Sequence, residues 1–315
     1  MLNARITGVG KYLPPTILTN QDLEKMVDTT NKRIVEMTGI KERRLAWFET
    51  PSDMGAKAAK EALEDNGLKA SALDHIIVAT VRGDYHFPSC ACQIQDKIGA
   101  INASAVDINS GCTGFIQGLE MAAAYIRSGI YKKILLVGAE KLSDITDYTD
   151  RSTCILFGDG AGAVVLEATE EKGRGIIATK LFSDGKKGSL LFCQKMPNGE
   201  ELLRMYGNRI YEPAIRGMVQ ASETVLKMAR LKKDDIKLVI PHQANKRIIL
   251  MVAEKMEIPI KNIFINIEKY GNMSSATIPI ALREAYEKDR ISPNDVLLFT
   301  AFGAGLTWGA AIVRW

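Results

Sequence analysis

The stretch "VDINSGCTGFIQGLEMAAAYIRSGIYKKILLVGAE" runs from Val106 to Glu140. It reads as the end of an apolar strand, a small-residue loop, an amphipathic helix, a basic turn and a second strand. The same order returns in "GNMSSATIPIALREAYEKDRISPNDVLLFTAFGAG" (271–305). A further pair agrees: "EALEDNGLKASALDHIIVATV" (61–81) and "TVLKMARLKKDDIKLVIPHQ" (224–243) both run helix, turn, acidic residue, β-branched strand. The strands are continuous apolar runs, as expected where helices cover both faces of a sheet. Thr50, Pro51 and Asp53 form a helix start by type and order. Ile215, Met218, Val219, Ser222, Val225, Leu226 and Ala229 follow a helical stripe with one polar position. The chain is therefore expected to be two similar α/β halves. The division falls in the charged connector "EATEEKGRG" (167–175), giving halves 1–171 and 172–315. The repeat sets the Cys112 and Asn272 loops at equivalent ends, so halves packed about a pseudo-twofold axis would bring them together.

The 315 residues, 46% hydrophobic and 25% charged, have ample material for a core. A formal net charge of +4 is too mild to imply nucleic acid, though it suits an acidic partner on a local patch. No run approaches the ~18 apolar residues of a membrane span. "MLNARITGVGKYLPP" lacks a secretory pattern, so a reducing, cytoplasmic setting is expected. The five cysteines form no framework spacing, so no disulfides are expected. With only three histidines and no second ligand pair beside "CAC" (90–92), no metal site is expected either.

Cys112 sits between Gly111 and a Thr113-Gly114 pair at a helix start. Free backbone N–H groups and the helix dipole there favour a thiolate nucleophile, while burial as a small apolar side chain is the plain alternative. In "VIPHQANKR" (239–247) an apolar strand ends directly before His242, at the carboxyl end where α/β folds place sites. Asn272 follows a glycine in "KYGNMSSAT" (269–277). Alone it is a turn residue; with Cys112 and His242, each opening a small-residue loop, it completes a constellation. "FTAFGAGLTWGAAI" (299–312) offers backbone N–H groups for an oxyanion hole, or a tight turn between antiparallel strands. "FGDGAGAVVL" (157–166) precedes a strand rather than a helix, so it reads as close packing and not as a dinucleotide fingerprint.

At these residues the chain resembles the thiolase-fold condensing enzymes, specifically the beta-ketoacyl-acyl-carrier-protein synthase III family. The resemblance runs through "LTNQDLEKMVDTT", "TGIKERR", "FPSCACQIQ", "DINSGCTGF", "FGDGAGA", "PHQANKR", "YGNMSSAT" and "AFGAGLTWGAAIVRW". It implies a five-layered αβαβα thiolase-like fold. The Cys-His-Asn set separates it from elongating synthases, which use Cys-His-His, and from thiolases, which bring a second cysteine. The resemblance implies that Cys112 takes an acyl group from a short acyl-coenzyme A. Malonyl-acyl-carrier protein then binds, with His242 and Asn272 donating to its thioester carbonyl while it loses carbon dioxide, and the enolate attacks the acyl-cysteine. The N–H groups of Cys112 and Ala304 would form the other oxyanion hole. No metal or redox cofactor is implied; the coenzyme A thioester is substrate.

By the same resemblance Phe87, Leu142 and Phe157 shape the acyl pocket, Phe87 crossing the interface of a homodimer. Thr29, Arg33, Arg151 and Asn245 would face coenzyme A. Gln243, Ala244, Asn245, Lys246, Arg247 and Lys255 would meet the acidic carrier protein. Residues 195–209 read as a flap near the tunnel. The chain departs from the family pattern at Arg33, where many relatives have tryptophan, and at Met37, where many have arginine. Those departures leave open a condensing or acyltransfer enzyme of secondary metabolism that uses a donor other than coenzyme A. Cys-His-Asn is also the order of papain-like hydrolases, but the mid-chain cysteine opposes that. The intact triad opposes a non-catalytic carrier-binding scaffold.

Overall fold

The computed structural model describes residues 2–315. Its first half comprises β1 (Asn3–Tyr12), β2 (Thr16–Thr19), α1 (Asn20–Glu24), α2 (Asn31–Thr38), β3 (Glu42–Leu45), α3 (Pro51–Asn66), β4 (His75–Ala79), α4 (Cys90–Ile98), β5 (Ser104–Ile108), α5 (Gly114–Arg127), β6 (Lys133–Lys141) and β7 (Asp159–Thr169). The second comprises β8 (Gly175–Ser183), β9 (Leu191–Lys195), β10 (Glu201–Met205), α6 (Gly207–Ala229), β11 (Leu238–Pro241), α7 (Lys246–Lys255), α8 (Ile267–Tyr270), α9 (Thr277–Glu287), β12 (Val296–Gly303) and β13 (Thr307–Arg314).

Local chemistry sets the helix boundaries. At α3, Thr50 accepts from the Asp53 N–H while the Asp53 carboxylate accepts from the Thr50 N–H at 3.0 Å, with Pro51 at the first turn. Such a cap contributes about 1 kcal/mol. In α6 the stripe from Ile215 to Leu226 faces inward, and its polar member Ser222 is satisfied by donating to the Met218 carbonyl at 2.7 Å. The helix begins at Gly207, so the segment read as a flap is part helix. The flap proper is the hairpin of β9 and β10.

Two sheets carry the duplication. The first has the order β1-β7-β6-β4-β5 and the second β11-β12-β13-β8. Read from their antiparallel edges, β1-β7-β6-β4 matches β8-β13-β12-β11, with the last pair parallel in each. The counterpart of β5 is reduced to a single parallel bridge between Val239 and Ile263. Helices α5 and α9 pack between the sheets, burying Phe115, Leu119, Ile278 and Leu282 against residues of both, including Leu136 and Phe299. Helices α3 and α4 cover the outer face of the first sheet, and α6 and α7 that of the second. These are the five layers αβαβα. Each fully buried Leu, Ile or Phe side chain contributes about 1.5–3 kcal/mol. The glycine run after Phe157 is a packing device. A Cβ at Gly162 would lie 2.8 Å from the Ile280 nitrogen, so only glycine lets β7 approach α9. No helix among the described residues is long and apolar enough to cross a membrane.

Candidate active site

Three loops meet where α5 and α9 begin. Cys112 lies in the one-turn 3-10 helix Gly111–Thr113, which joins β5 to α5. Gly111 has φ +53°, the left-handed region that glycine occupies at no steric cost. The turn after β12 presses on this loop: a Cβ at Gly303 would stand 2.7 Å from the Cys112 nitrogen, and one at Gly111 would stand 3.1 Å from the Ala304 nitrogen. The 299–312 segment is thus both a turn between antiparallel strands and a backbone wall against the thiol.

His242 follows β11, its N–H donating to the Thr300 carbonyl at 2.8 Å. Its Nδ1 is 2.7 Å from the Thr277 hydroxyl, and its Nε2 has no hydrogen-bond partner. The ring is 2% exposed, and burial pulls its pKa down to about 3, so the imidazole is neutral at physiological pH. The Thr277 hydroxyl also donates to the Ser274 carbonyl at 3.0 Å, so Nε2 carries the imidazole hydrogen only when that hydroxyl turns from Ser274 to Nδ1. Asn272 is fixed by its backbone, donating to the Leu156 carbonyl at 2.8 Å and accepting from the Gly158 N–H at 3.0 Å. Its side-chain oxygen accepts from the Ser274 N–H at 2.9 Å, which leaves the amide nitrogen as the free donor.

Ser274 ties the set together. Its N–H orients Asn272, its carbonyl lies 3.0 Å from the Thr277 hydroxyl that holds His242, and its own hydroxyl has no formed partner. Ser274 and Cys112 line the same cavity. Ser274 does this from φ +46°, a conformation costly for a residue with a Cβ. Burial pushes the Cys112 thiol up to about 12, the Glu140 charge adding in the same direction. Burial therefore opposes a resting thiolate at this helix start. Glu140, at the end of β6, is wholly buried and raised to about 7 by that burial, against the pull of the Val81 N–H and the Ser275 and Ser274 hydroxyls.

Cys112, His242 and Asn272 line one cavity of about 910 Å³. Leu142 and Phe157 form part of its wall, and Leu203 and Met205 of the β9–β10 hairpin close over it. Thr29, Arg33, Met37, Arg151 and Asn245 stand around the same cavity, but their side chains are not equally available. Arg151 is paired with Asp28 at 2.8 Å. Asn245 donates to the Met37 carbonyl at 3.0 Å and caps α7 by accepting from the Arg247 N–H at 2.8 Å. Gln243 corrects the reading of a carrier-facing residue. It is 1% exposed and its amide is spent on the Pro241 and Phe264 carbonyls and the Asn266 N–H. Ala244 is half-buried, whereas Lys246, Arg247 and Lys255 are exposed on α7, with Arg247 over the Tyr211 ring. Phe87 is 87% exposed and does not line the cavity of its own chain. Among the described residues, no group of three or more His, Cys, Asp or Glu side chains gathers as a metal site would require.

Residues 106–185 match the protein family described as 3-oxoacyl-[acyl-carrier-protein (ACP)] synthase III, and residues 226–315 match its C-terminal counterpart. The chain is 47% identical over 315 residues to the beta-ketoacyl-[acyl-carrier-protein] synthase III of Geobacillus kaustophilus, covering 100% of this chain and 99% of that one. This chain belongs to the beta-ketoacyl-acyl-carrier-protein synthase III family. A crystal structure of the Aquifex aeolicus synthase III superposes with a TM-score of 0.96 at 47% identity, covering 99% of this chain and 100% of that chain. A priming β-ketosynthase of a polyketide biosynthetic pathway superposes at 0.95 with 31% identity, covering 99% and 96%. Membership in the synthase III family makes the chain a condensing acyltransferase of fatty acid biosynthesis.

Sequence reasoning missed Ser274, Thr277 and Glu140. The first two lie two and five residues beyond Asn272 in "GNMSSAT", and the third ends the apolar run "ILLVGAE". A carboxylate closing an otherwise apolar central strand was the available signal.

Proposed function

We propose that the chain joins a short acyl group from coenzyme A to malonyl-acyl-carrier protein, the step that initiates fatty acid synthesis. Cys112 attacks the acyl thioester, and the N–H groups of Cys112 and Ala304 receive the developing oxyanion. In the second stage the His242 Nε2–H and the Asn272 amide donate to the malonyl thioester carbonyl as carbon dioxide leaves. Neutral donors suit this step: decarboxylation itself generates the carbanion, and each preorganised donor is worth about 3 kcal/mol. The observation that carries the reading is the pair of unpartnered nitrogens, His242 Nε2 and the Asn272 amide nitrogen, lining one apolar cavity with Cys112. Leu142 and Phe157 bound the acyl group. The exposed Lys246, Arg247 and Lys255 attract the acidic carrier protein, and the enzyme works as a cytoplasmic homodimer in which Phe87 reaches its partner's pocket. Intact-mass spectrometry after incubation with acyl-coenzyme A and acyl-carrier donors tests the reading. An acyl adduct on the wild type, absent in Cys112→Ala, followed by carbon dioxide release with malonyl-acyl-carrier protein, is the expected result. No adduct from any donor overturns it.

One observation favours a variant of this reading. Thr29, Arg33 and Met37 stand at the cavity with Arg151 already paired to Asp28, so the adenine-binding surface differs from the family pattern. Arg33 is exposed and its guanidinium plane can stack on a base. If coenzyme A is not the donor, as in a synthase III-like enzyme of secondary metabolism, acyl-carrier protein will load Cys112 faster than acyl-coenzyme A in the same mass experiment.

A further inference from the structure

Arg43, on β3, is 0% exposed. Its hydrogen bonds all go to neutral acceptors. Nη1 donates to the Leu18 carbonyl at 3.1 Å and to the Asn20 side-chain oxygen at 3.0 Å, and Nη2 donates to the Ile155 carbonyl at 2.7 Å. Nε has no partner. Burial pulls the guanidinium down to about 10, so it stays charged at physiological pH. An apolar side chain of similar volume would fill the space without taking a charge out of water. Packing alone therefore leaves this arginine without a role. The segments that its fork joins supply one. Ile155 lies in the turn ahead of β7, just before the residues on which Asn272 hangs. The Asn272 N–H donates to the Leu156 carbonyl at 2.8 Å, the Gly158 N–H donates to the Asn272 carbonyl at 3.0 Å, and Phe157 and Asn272 form a parallel bridge. The Arg43 stem packs beside that bridge. A Cβ at Gly158 would stand 3.1 Å from the Arg43 Cβ, and one at Gly271 would stand 3.3 Å from it. At the other end of the fork, Asn20 is itself held, donating to the Asn31 side-chain oxygen at 2.9 Å and to the Ile40 carbonyl at 2.8 Å.

We propose that Arg43 is a positioning residue for Asn272: it pins residues 155–158 to β2 and α1, and so fixes where the Asn272 amide nitrogen stands on the cavity. This rests on Asn272 serving as a donor to the malonyl thioester carbonyl. Arg43 does not line the cavity and touches no reacting atom. Its action passes through two backbone steps, from the Ile155 carbonyl to the neighbouring Leu156 carbonyl and from there to the Asn272 N–H. The Asn272 side chain is then turned by the bond its oxygen accepts from the Ser274 N–H at 2.9 Å. The backbone bonds set the place of the donor and the Ser274 bond sets its direction. A planar guanidinium can hold acceptors on separate segments at once. An apolar side chain holds none, and lysine donates from a single point.

The test compares wild type, Arg43→Met and Arg43→Lys by hydrogen exchange with mass spectrometry and by separate assays of the two stages. In Arg43→Met the peptides holding Gly158 and Asn272 should exchange faster by about 10-fold or more, as local opening becomes easier, while the peptide holding His242 keeps its rate. Its kcat for decarboxylation of malonyl-acyl-carrier protein should fall by about 10–10²-fold, a part of the loss from deleting a donor outright. Its KM for that substrate should stay within about twofold and acylation of Cys112 within about threefold, because docking and the other oxyanion hole are kept. Arg43→Lys should recover part of both the protection and kcat. A role confined to stability would lower the two stages in the same proportion, through the unfolded fraction. That result overturns the inference, as does unchanged exchange at Gly158 and Asn272 in Arg43→Met. Exchange needs no substrate, so it decides the positioning even if the condensation reading fails, and wild-type decarboxylation by Asn272→Ala would identify that failure separately. If Arg43→Met does not fold, Asn20→Ala removes one acceptor and keeps the guanidinium. It should show the same selective change, and its absence overturns the inference.

Discussion

The turns at Gly111–Thr113 and Ser274–Ala276 occupy the same place in the two halves. Each is a single 3-10 turn running into a central helix, and each opens on a left-handed residue. In the first half that residue is Gly111, and the next is Cys112. In the second half it is Ser274, and the next is Ser275, whose hydroxyl lies 2.7 Å from Glu140 and 2.9 Å from the Ala79 carbonyl. One scaffold thus carries the cysteine in one copy and a loop that orients Asn272 in the other. Glycine makes the first turn cheap. Serine makes the second strained, and the strain persists because the Ser274 N–H and carbonyl are both engaged.

Exchanging the chemistry of the two turns should break the comparison most completely. Cys112→Ser installs in the first turn the residue of the second, and acyl transfer should fall by at least about 10⁴-fold, the scale of losing a nucleophile; single-turnover acylation measures it. Removing a donor acts on the other stage. Asn272→Ala should lower decarboxylation by about 10²–10³-fold while acylation of Cys112 stays within about tenfold, because one oxyanion donor is lost and the thiol's surroundings are kept. Separate assays of acyl adduct and carbon dioxide resolve the two.

Smaller changes probe how tightly the halves are joined. Gly303→Ala puts a methyl group 2.7 Å from the Cys112 nitrogen, against backbone that has no room to move. It should cost about 1–3 kcal/mol of stability, visible as a lower Tm, and should distort the acyl oxyanion hole. Last comes pH. His242 is neutral when folded with a pKa near 3, below the ordinary value of about 6.5. The unfolded chain binds its proton first, so this group's stabilisation is complete above about pH 6.5 and is lost as pH falls toward 3. Glu140 is shifted the other way, to about 7. It contributes stability below its unfolded pKa, lost as pH rises through 7. Between about pH 4.5 and 6.5 the two slopes oppose each other, each up to about 1.4 kcal/mol per pH unit. Glu140→Gln should therefore make Tm fall more steeply than wild type over that interval, and parallel slopes would contradict the assignment.

The halves were legible because their signals are local. A helical stripe, a cap at Thr50 and unbroken apolar strands report themselves within a dozen residues, and the repeat follows from reading them twice. Cys112 and His242 were legible because each opens a loop after a strand; Asn272 follows the short helix α8 instead, and its place in the repeat and in the family motif singled it out. Gln243 was misread because a polar residue beside a catalytic one looks the same in sequence whether it faces a partner or spends its amide on three backbone groups. A helix start at Cys112 is visible in sequence, whereas the desolvation that opposes its thiolate depends on what packs above.

The sequence by itself determined two duplicated α/β halves and the small-residue loops of Cys112 and His242, since periodicity and turn chemistry are properties of neighbouring residues; the five layers were what the family resemblance implied. Only the tertiary structure decided that Ser274 orients Asn272, that Thr277 holds the imidazole and that Glu140 lies buried against Ser275. The last two contacts join residues 35 and 135 positions apart in the chain, and depend on the exclusion of water that their packing creates.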